Sequence, residues 1–397
     1  SIVWIVSRFP LSERAASVMP LLMIMLPYMF FICMAALCMG ILHSFHHFTM
    51  PAMTPVILNV IWIIAVVFVS PLFGDNIHER IYGVAWGVLF AGTVQLMAQA
   101  PVLKKYGFSL KISFGYDDAK VRKLLMLVGP VMFGVGVFQV NAVVDRILAM
   151  TVADWAPAAL TYSERLIYLP LGALATALGT VLLPAFSRQA AHGNTESIRK
   201  TLASAIRGIL LVITPAAAGL LVLAGPIVKL VFSWPGGEFG EESVLYTSRA
   251  LMFYAPGLVV FSLYKILVPV FYALKDTRTP VYVGARVVFL NLALNIAFIL
   301  TWPEGYRHAG LACATALSAL VSCVLLGIRL QDRIGSPGWK KIAVSGAKCV
   351  AASACTAFTA RHANSLFSGM AASAGWKVKL AESAGVAGGI VSGICVY

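Results

Sequence analysis

Charged side chains inside apolar stretches are where this sequence could do chemistry, because an ionised group at membrane depth costs on the order of several kcal/mol and needs a cavity or a partner. Asp145 and Arg146 lie late in the apolar stretch 124–151, and Glu164 and Arg165 lie early in the next, 158–185. The loop between the stretches is short, so both pairs belong to the same half of the layer. Two readings are open. Arg146 and Asp145 can neutralise Glu164 and Arg165 as structural ion pairs. Alternatively, Arg165 faces a water-filled cavity and grips an anionic ligand, since its planar fork matches phosphate oxygens. Lys265, midway along 249–274, is the second cationic candidate, against snorkelling or pairing with a carboxylate.

A second constellation is Asp145, Asn291, Asn295 and Thr315. Asn291 and Asn295 are four apart and share a helix face. A carboxylate with amide and hydroxyl oxygens suits a hard monovalent cation; the plainer alternative is a hydrogen-bonded interhelical clamp. Other polar groups point to structure. His43, His46 and His47 cluster in a short turn. Asn59, Gln95, Gln99 and Gln139 suit interhelical glue, and Gly385, Gly389 and Gly393 form a small-residue stripe for close helix packing. The seven cysteines all fall inside apolar runs, without metal or disulfide spacing. There is no phosphate-binding glycine loop, nucleophile elbow or metal-ligand pair on one helix face, so nothing in the sequence points to an enzyme.

The elements that position these groups follow from composition. The chain of 397 residues is 60% hydrophobic and only 12% charged, about half the charged fraction of a soluble domain. Apolar residues gather into runs of about 20, enough to cross a hydrocarbon layer. Backbone groups there must be satisfied internally. The runs lack the alternation of barrel strands, so they are helices. Spans are expected near 21–42, 52–73, 80–101, 124–151, 158–185, 203–230, 249–274, 281–301, 308–329, 340–360 and 380–397, about eleven in all, with Ile2–Val6 as the tail of another. The net charge of +14 falls mainly in alternate loops, such as Lys104–Lys123 and Arg188–Arg207. That distribution puts those loops in the cytoplasm; it is a topology signal and an attraction to anionic lipid, not a nucleic-acid footprint. The loop Lys104–Lys123 alternates basic and apolar residues and suits the membrane surface.

An internal repeat organises the spans. Pro27 and Pro51 bracket one helix, and Pro256 and Pro280 bracket another with the same spacing. Gly83–Trp86 and Gly310–Cys313 open two further helices at nearly the same offset. The offset covers six helices, an even number, so the copies run parallel through the membrane. The expectation is an all-α integral membrane protein of two parallel six-helix lobes, the first truncated, plus two additional C-terminal helices. By domain, 1–105 holds the end of helix 3 and helices 4–6, 106–123 an amphipathic linker, 124–330 the second lobe, and 340–397 the extra helices. The repeat places the start of a complete first lobe about 110 residues before Ser1. No n-region precedes the first apolar run, so no signal peptide is expected.

Several stretches carry a resemblance. They are Leu26-Pro27-Tyr28 through Asn59, Gln95 through Lys105, Gly129-Pro130 with Gln139 through Arg146, and Thr161-Tyr162-Ser163-Glu164-Arg165-Leu166 with Leu169-Pro170-Leu171-Gly172 and Gly179–Pro184. Phe271–Pro280 continues the match. Together they resemble the MurJ (MviN) lipid II flippase family of the MOP exporter superfamily. The resemblance implies fourteen helices: two lobes around a central cationic cavity, then two helices forming a groove for a polyprenyl tail. It implies a transporter of the bacterial inner membrane, multi-pass and monomeric, which moves an undecaprenyl-diphosphate-linked peptidoglycan precursor between leaflets by alternating access. Its partners would be that precursor and the bilayer. On this likeness Arg165 and Lys265 are cavity residues, with Glu164 and Tyr162 beside them. Na+ would fall on Asp145, Asn291, Asn295 and Thr315, the one cofactor implied. There are departures. Tyr168 stands where some members carry an acid, Asn295 where a sodium-binding relative has a carboxylate, and the family's other essential cavity arginines lie in first helices that this chain lacks. A polysaccharide-lipid or drug/cation exporter of the same superfamily, an enzyme acting on polyprenyl phosphate, and an inactive fragment are the alternatives. The basic cavity candidates weigh against cationic drugs, and the enzyme would need paired carboxylates or a metal motif.

Overall fold

The computed structural model describes residues 13–45, 47–108, 136, 139, 141–234, 236–373 and 378–396. Those residues are helical apart from their connections, with no strand among them. Eight of the described helices are long and apolar enough to cross a membrane. The chain divides into two compact units, Ser1–Asp118 and Ala119–Tyr397. The expected span 124–151 is described continuously from 141 onward, and the linker 106–123 lies almost wholly outside the described residues, as do Ile2–Val6, His46 and Gly129-Pro130.

The first unit contains α1 (Glu13–Ser44), α2 (Thr49–Ile64) and α3 (Ile77–Lys105). α3 packs against both of the others. Gln95 on α3 donates to the Thr54 carbonyl on α2 at 2.8 Å, the interhelical tie that a lone amide in an apolar helix demands. Gly92 lets α1 come close: a Cβ there would lie 2.6 Å from the Tyr28 ring.

The second unit runs through α4 (141–152), α5 (Ala156–Pro170), α6 (Ala177–Ala191), α7 (Thr195–Val222), α8 (Ala224–Phe232), α9 (Glu241–Ala273), α10 (Arg278–Thr301), α11 (Arg307–Ile334), α12 (Trp339–Ser373) and α13 (Val378–Val396). Proline explains two departures from the expected spans. Pro170 has no N–H for its helix ladder, and α5 passes into α6 through a π turn, Leu171–Thr176. The expected span 203–230 is two helices, α7 and α8. Pro226 cannot donate to the carbonyl of Val222, the last residue of α7, and the helix breaks at Leu223.

α9 is the hub. It packs against α5, α6, α7 and α11, and Leu251, Leu258, Ile266 and Phe271 along it are fully buried. Lipid tails are as apolar as leucine, so such contacts hold the bundle through close packing rather than escape from water. The outward faces remain apolar: Phe289 is 74% exposed and Leu300 76%. The glycine stripe of α13 faces α12. Cβ atoms at Gly385, Gly389 and Gly393 would lie 2.8–3.0 Å from Asn364, Ala360 and Thr356 respectively.

Candidate functional site

Inside the second unit α5, α9, α10 and α11 surround a cavity of about 430 Å3, lined mainly by apolar atoms. Its polar side chains include Asn141, Glu164, Tyr254, Lys265, Asn291 and Thr315. The local sequence explains why they meet. Glu164, Ile167 and Tyr168 follow three- and four-residue steps on α5, so they occupy one face, and Leu171 continues it at the start of the π turn. Tyr254 and Lys265 are eleven apart on α9, about three turns, and also share a face.

Two polar chains meet at this cavity. In the first, Arg146 Nη2 lies 2.7 Å from Glu164 Oε2, and Arg146 Nη1 donates to the Pro157 carbonyl at 3.2 Å. The other carboxylate oxygen of Glu164 accepts from the Tyr254 hydroxyl at 3.0 Å. A carboxylate is thus held from α4 and α9 while still lining the cavity. In the second chain, Asn295 Nδ2 donates to Asp145 Oδ1 at 2.6 Å and to Asn291 Oδ1 at 2.9 Å. Asn141 Nδ2 donates to Asp145 Oδ2 at 3.2 Å. Asn291 and Asn295 are both buried.

The candidates named from sequence therefore separate. Glu164 and Lys265 line the cavity. Arg165 is exposed and is not among the lining side chains. Tyr162 turns its ring toward Phe232 and Phe239, 4.9 and 5.4 Å between centroids. Asp145, Asn291 and Asn295 come together, whereas the Thr315 hydroxyl donates to the Leu311 carbonyl. This donor set fits a resident cation poorly. The oxygens that would converge on it are bridged by the Asn295 amide nitrogen, and at 2.6 Å between Asn295 and Asp145 no ion fits between them. The Asn295 amide oxygen is buried without a hydrogen-bond partner among the described residues; turning it inward would set it against the Asp145 carboxylate instead. Among the described residues, no three His, Cys, Asp or Glu side chains gather in a metal-holding group.

Tyr254 is the residue that sequence reasoning missed. Its signal was its place on the Lys265 face of the same helix, eleven residues before it. His308 is a second omission, fully buried on α11 with Nε2 2.9 Å from the Tyr246 carbonyl. It ties α11 to α9 beneath the stacked rings of Trp155 and Tyr246.

A third polar cluster lies outside the spans, at the turn from α9 to α10. Lys275 takes the left-handed conformation (φ 59°) usually given to glycine after a helix. Asp276 then caps α10, accepting from the backbone N–H groups of Arg278 and Thr279 and from the Thr279 hydroxyl. Arg333, from the last turn of α11, lies 2.8 Å from its other side. Burial works against this charge, but the Thr279 and Arg278 donors and the Arg333 guanidinium outweigh it and hold the carboxyl below its ordinary pKa.

Comparison with known proteins places this architecture. The family model described as lipid II flippase MurJ matches residues 3–376. A probable lipid II flippase MurJ of Vibrio cholerae is 37% identical over 313 residues, which is 78% of this chain and 58% of that protein. The lipid II flippase MurJ of Burkholderia cenocepacia is 32% identical over 328 residues, 81% of this chain and 62% of that one. The chain thus spans less than two thirds of the length of these relatives. A solved structure titled lipid II flippase MurJ, inward closed conformation, shares the fold, with a TM-score of 0.75 at 23% identity over 95% of this chain and 73% of its own. A cavity built from α5 and α9 within this fold, and a family match along nearly the whole sequence, lead to one assignment: the chain belongs to the MurJ family of membrane proteins.

Proposed function

We propose that this chain serves the translocation of an undecaprenyl-diphosphate-linked peptidoglycan precursor, lipid II or a close variant, from the cytoplasmic to the periplasmic leaflet of the bacterial inner membrane. The observation that carries the reading is the cavity of the second unit, whose mainly apolar wall carries both Lys265 and a fixed Glu164 carboxylate. Moving a diphosphate through hydrocarbon unaided costs far more than thermal energy. A lysine ammonium in a largely apolar chamber supplies charge compensation that is stronger than in water because the surroundings are less polarisable. Glu164 has a complementary part. Held by Arg146 and Tyr254, it can accept from hydroxyl and amide donors of a sugar-peptide headgroup without itself repelling the diphosphate, because Arg146 balances its charge. Arg165, exposed one residue on, is the second anion-gripping group. The chain acts as a monomer in this reading, and alternating access exposes the headgroup site to each face in turn. A lipid-linked passenger keeps its tail in the bilayer, along α12 and α13.

Complementation tests this. Joined behind the N-terminal segment of the Vibrio cholerae relative that lies outside the matched region, and expressed in a bacterium depleted of its own lipid II flippase, the chain should restore growth and deliver labelled precursor to the outer leaflet. Lys265→Ala and Arg165→Ala should each cut delivery by roughly tenfold or more, the scale of losing one charge-assisted contact, at unchanged abundance in the membrane. Lys265→Arg should retain part of it. Full rescue by both alanine variants would overturn the assignment of these residues, and no rescue by the parent fusion, present in the membrane at normal abundance, would overturn the function.

A further inference from the structure

A second concave site, which shares no lining residue with the cavity, lies at the end of the bundle that carries the basic loops. α10 and α11 form an antiparallel hairpin joined by the short turn Glu304–Tyr306, and they pack closely along their length. Near the end opposite that turn they enclose a pocket of about 360 Å3, lined by Thr279, Tyr282, Arg286, Arg329, Asp332 and Arg333 among others. Arg333 is bound to Asp276. Arg286 and Arg329 have no ion-pair or hydrogen-bond partner among the described residues. Counting Asp276 and Asp332 against the three arginines leaves one positive charge uncompensated.

The placement of Arg286 distinguishes this pocket from an ordinary basic loop. It stands eight residues into α10, about 12 Å along the axis from the helix start. Its neighbours on the same face are Tyr282, one turn before, and Phe289, one turn after, and both rings are exposed. Ile296 continues that exposed apolar stripe toward the other end of the helix. α11 repeats the arrangement: Asp332 of the pocket shares a face with Ile328 and Val324, again exposed. So a polar pocket with one spare positive charge opens onto two apolar stripes that lead into the layer. The shape and charge match an amphiphile with one anionic phosphodiester and hydrocarbon tails. Arginine suits it, because its fork takes phosphate oxygens in pairs.

We infer that Arg286 and Arg329 hold the phosphate of an anionic phospholipid whose acyl chains lie along the exposed stripes of α10 and α11. The inference does not rest on the function proposed for the cavity, with which the pocket shares no lining residue. The test uses the purified full chain in an uncharged detergent. Its thermal unfolding is followed while phosphatidylglycerol, phosphatidylcholine or inorganic phosphate is added. Phosphatidylglycerol should raise the midpoint saturably, and the other two should not. Arg286→Gln and Arg329→Gln should each weaken the apparent affinity roughly fivefold, the scale of one basic residue at an anionic surface, and the double variant should lose the response. Arg286→Lys with Arg329→Lys should keep much of it, which separates lost charge from a damaged fold. Arg278→Gln, an exposed arginine outside the pocket, should leave the response unchanged. The inference is overturned if the double glutamine variant still responds like the parent, if Arg278→Gln weakens binding equally, or if phosphatidylcholine stabilises as well as phosphatidylglycerol. If phosphate alone reproduces the shift, the pocket is a site for a free anion and the lipid assignment falls.

Discussion

Glu164 and Asp276 are both carboxylates with an arginine partner, at 2.7 and 2.8 Å, yet the structure uses them differently. Asp276 gives its oxygens to the first turn of α10 and to Arg333, with little left for anything else. Glu164 is held by one donor on each oxygen, Arg146 and Tyr254, and still lines the cavity. The same ion pair is a closed structural bolt at a helix end and an open wall group inside the bundle. The difference is one of satisfaction: a carboxylate has about four acceptor positions, and only a group with positions to spare can meet a ligand.

Breaking each pair sharpens that contrast. Arg146→Ala should have the larger effect, because it strands Glu164 in a mostly apolar cavity. Loss of one partner of a fully buried pair costs about 3–5 kcal/mol. The Arg146 and Glu164 side chains are 36% and 30% exposed, and solvent screening reduces the cost to roughly 1–3 kcal/mol. Thermal unfolding in detergent measures it. Arg146→Ala with Glu164→Gln should recover much of the loss, since the stranded charge is then gone. If the double variant is no more stable than Arg146→Ala, the pair is not what holds α4 to α5.

The next effect belongs to Asp276. Asp276→Ala removes a helix cap, worth about 1–2 kcal/mol, together with the Arg333 contact. It carries a pH signature. Folding lowers the Asp276 pKa, so its stabilisation is fully present above the ordinary carboxylate value of about 4 and drains away as the pH falls through the lower folded value. The midpoint difference between parent and Asp276→Ala should therefore be flat from neutral pH down to about 5 and shrink below about 4. A difference that grew on acidification would mean that the folded carboxyl is held above its ordinary value, not below.

Much of this was legible in the sequence and some was not. The spans show as apolar runs because each must satisfy its own backbone, and the glycine stripe of α13 shows as a four-residue spacing. Pro170 and Pro226 were visible as residues, but whether a proline gives a π turn or a break depends on what packs around it. In the site, the shared face of Asn291 and Asn295 followed from their four-residue spacing, whereas Asp145, 150 residues away in the chain, was joined to them by the family resemblance and not by spacing. The direction of the Asn295 amide did not, since an amide can turn either end toward a neighbour. Tyr254 was missed for a related reason. A tyrosine in an apolar helix looks like bulk until the carboxylate that receives its hydroxyl is known, and Glu164 is ninety residues away in the chain.

The smallest effect expected concerns that amide, and it turns the second polar chain of the cavity into something closer to the first. Asn295 places a nitrogen, with partial positive charge, between the Asp145 and Asn291 oxygens, 2.6 and 2.9 Å from each. It does by hydrogen bonding what a small cation does by coordination: it joins α4 to α10 through oxygens that would otherwise repel. The chain as it stands should therefore unfold at the same midpoint in Na+ and in choline at equal ionic strength. Asn295→Asp removes the donor and sets two carboxylates against each other, which leaves an oxygen-rich gap suited to a hard cation. The variant should be less stable than the parent in choline and should regain part of the loss, about 1 kcal/mol at a concentration several times the dissociation constant, as Na+ is titrated in. A parent midpoint that rises with Na+ but not with choline would show that an ion displaces the amide, and the clamp would have to be redrawn with Asn295 turned around.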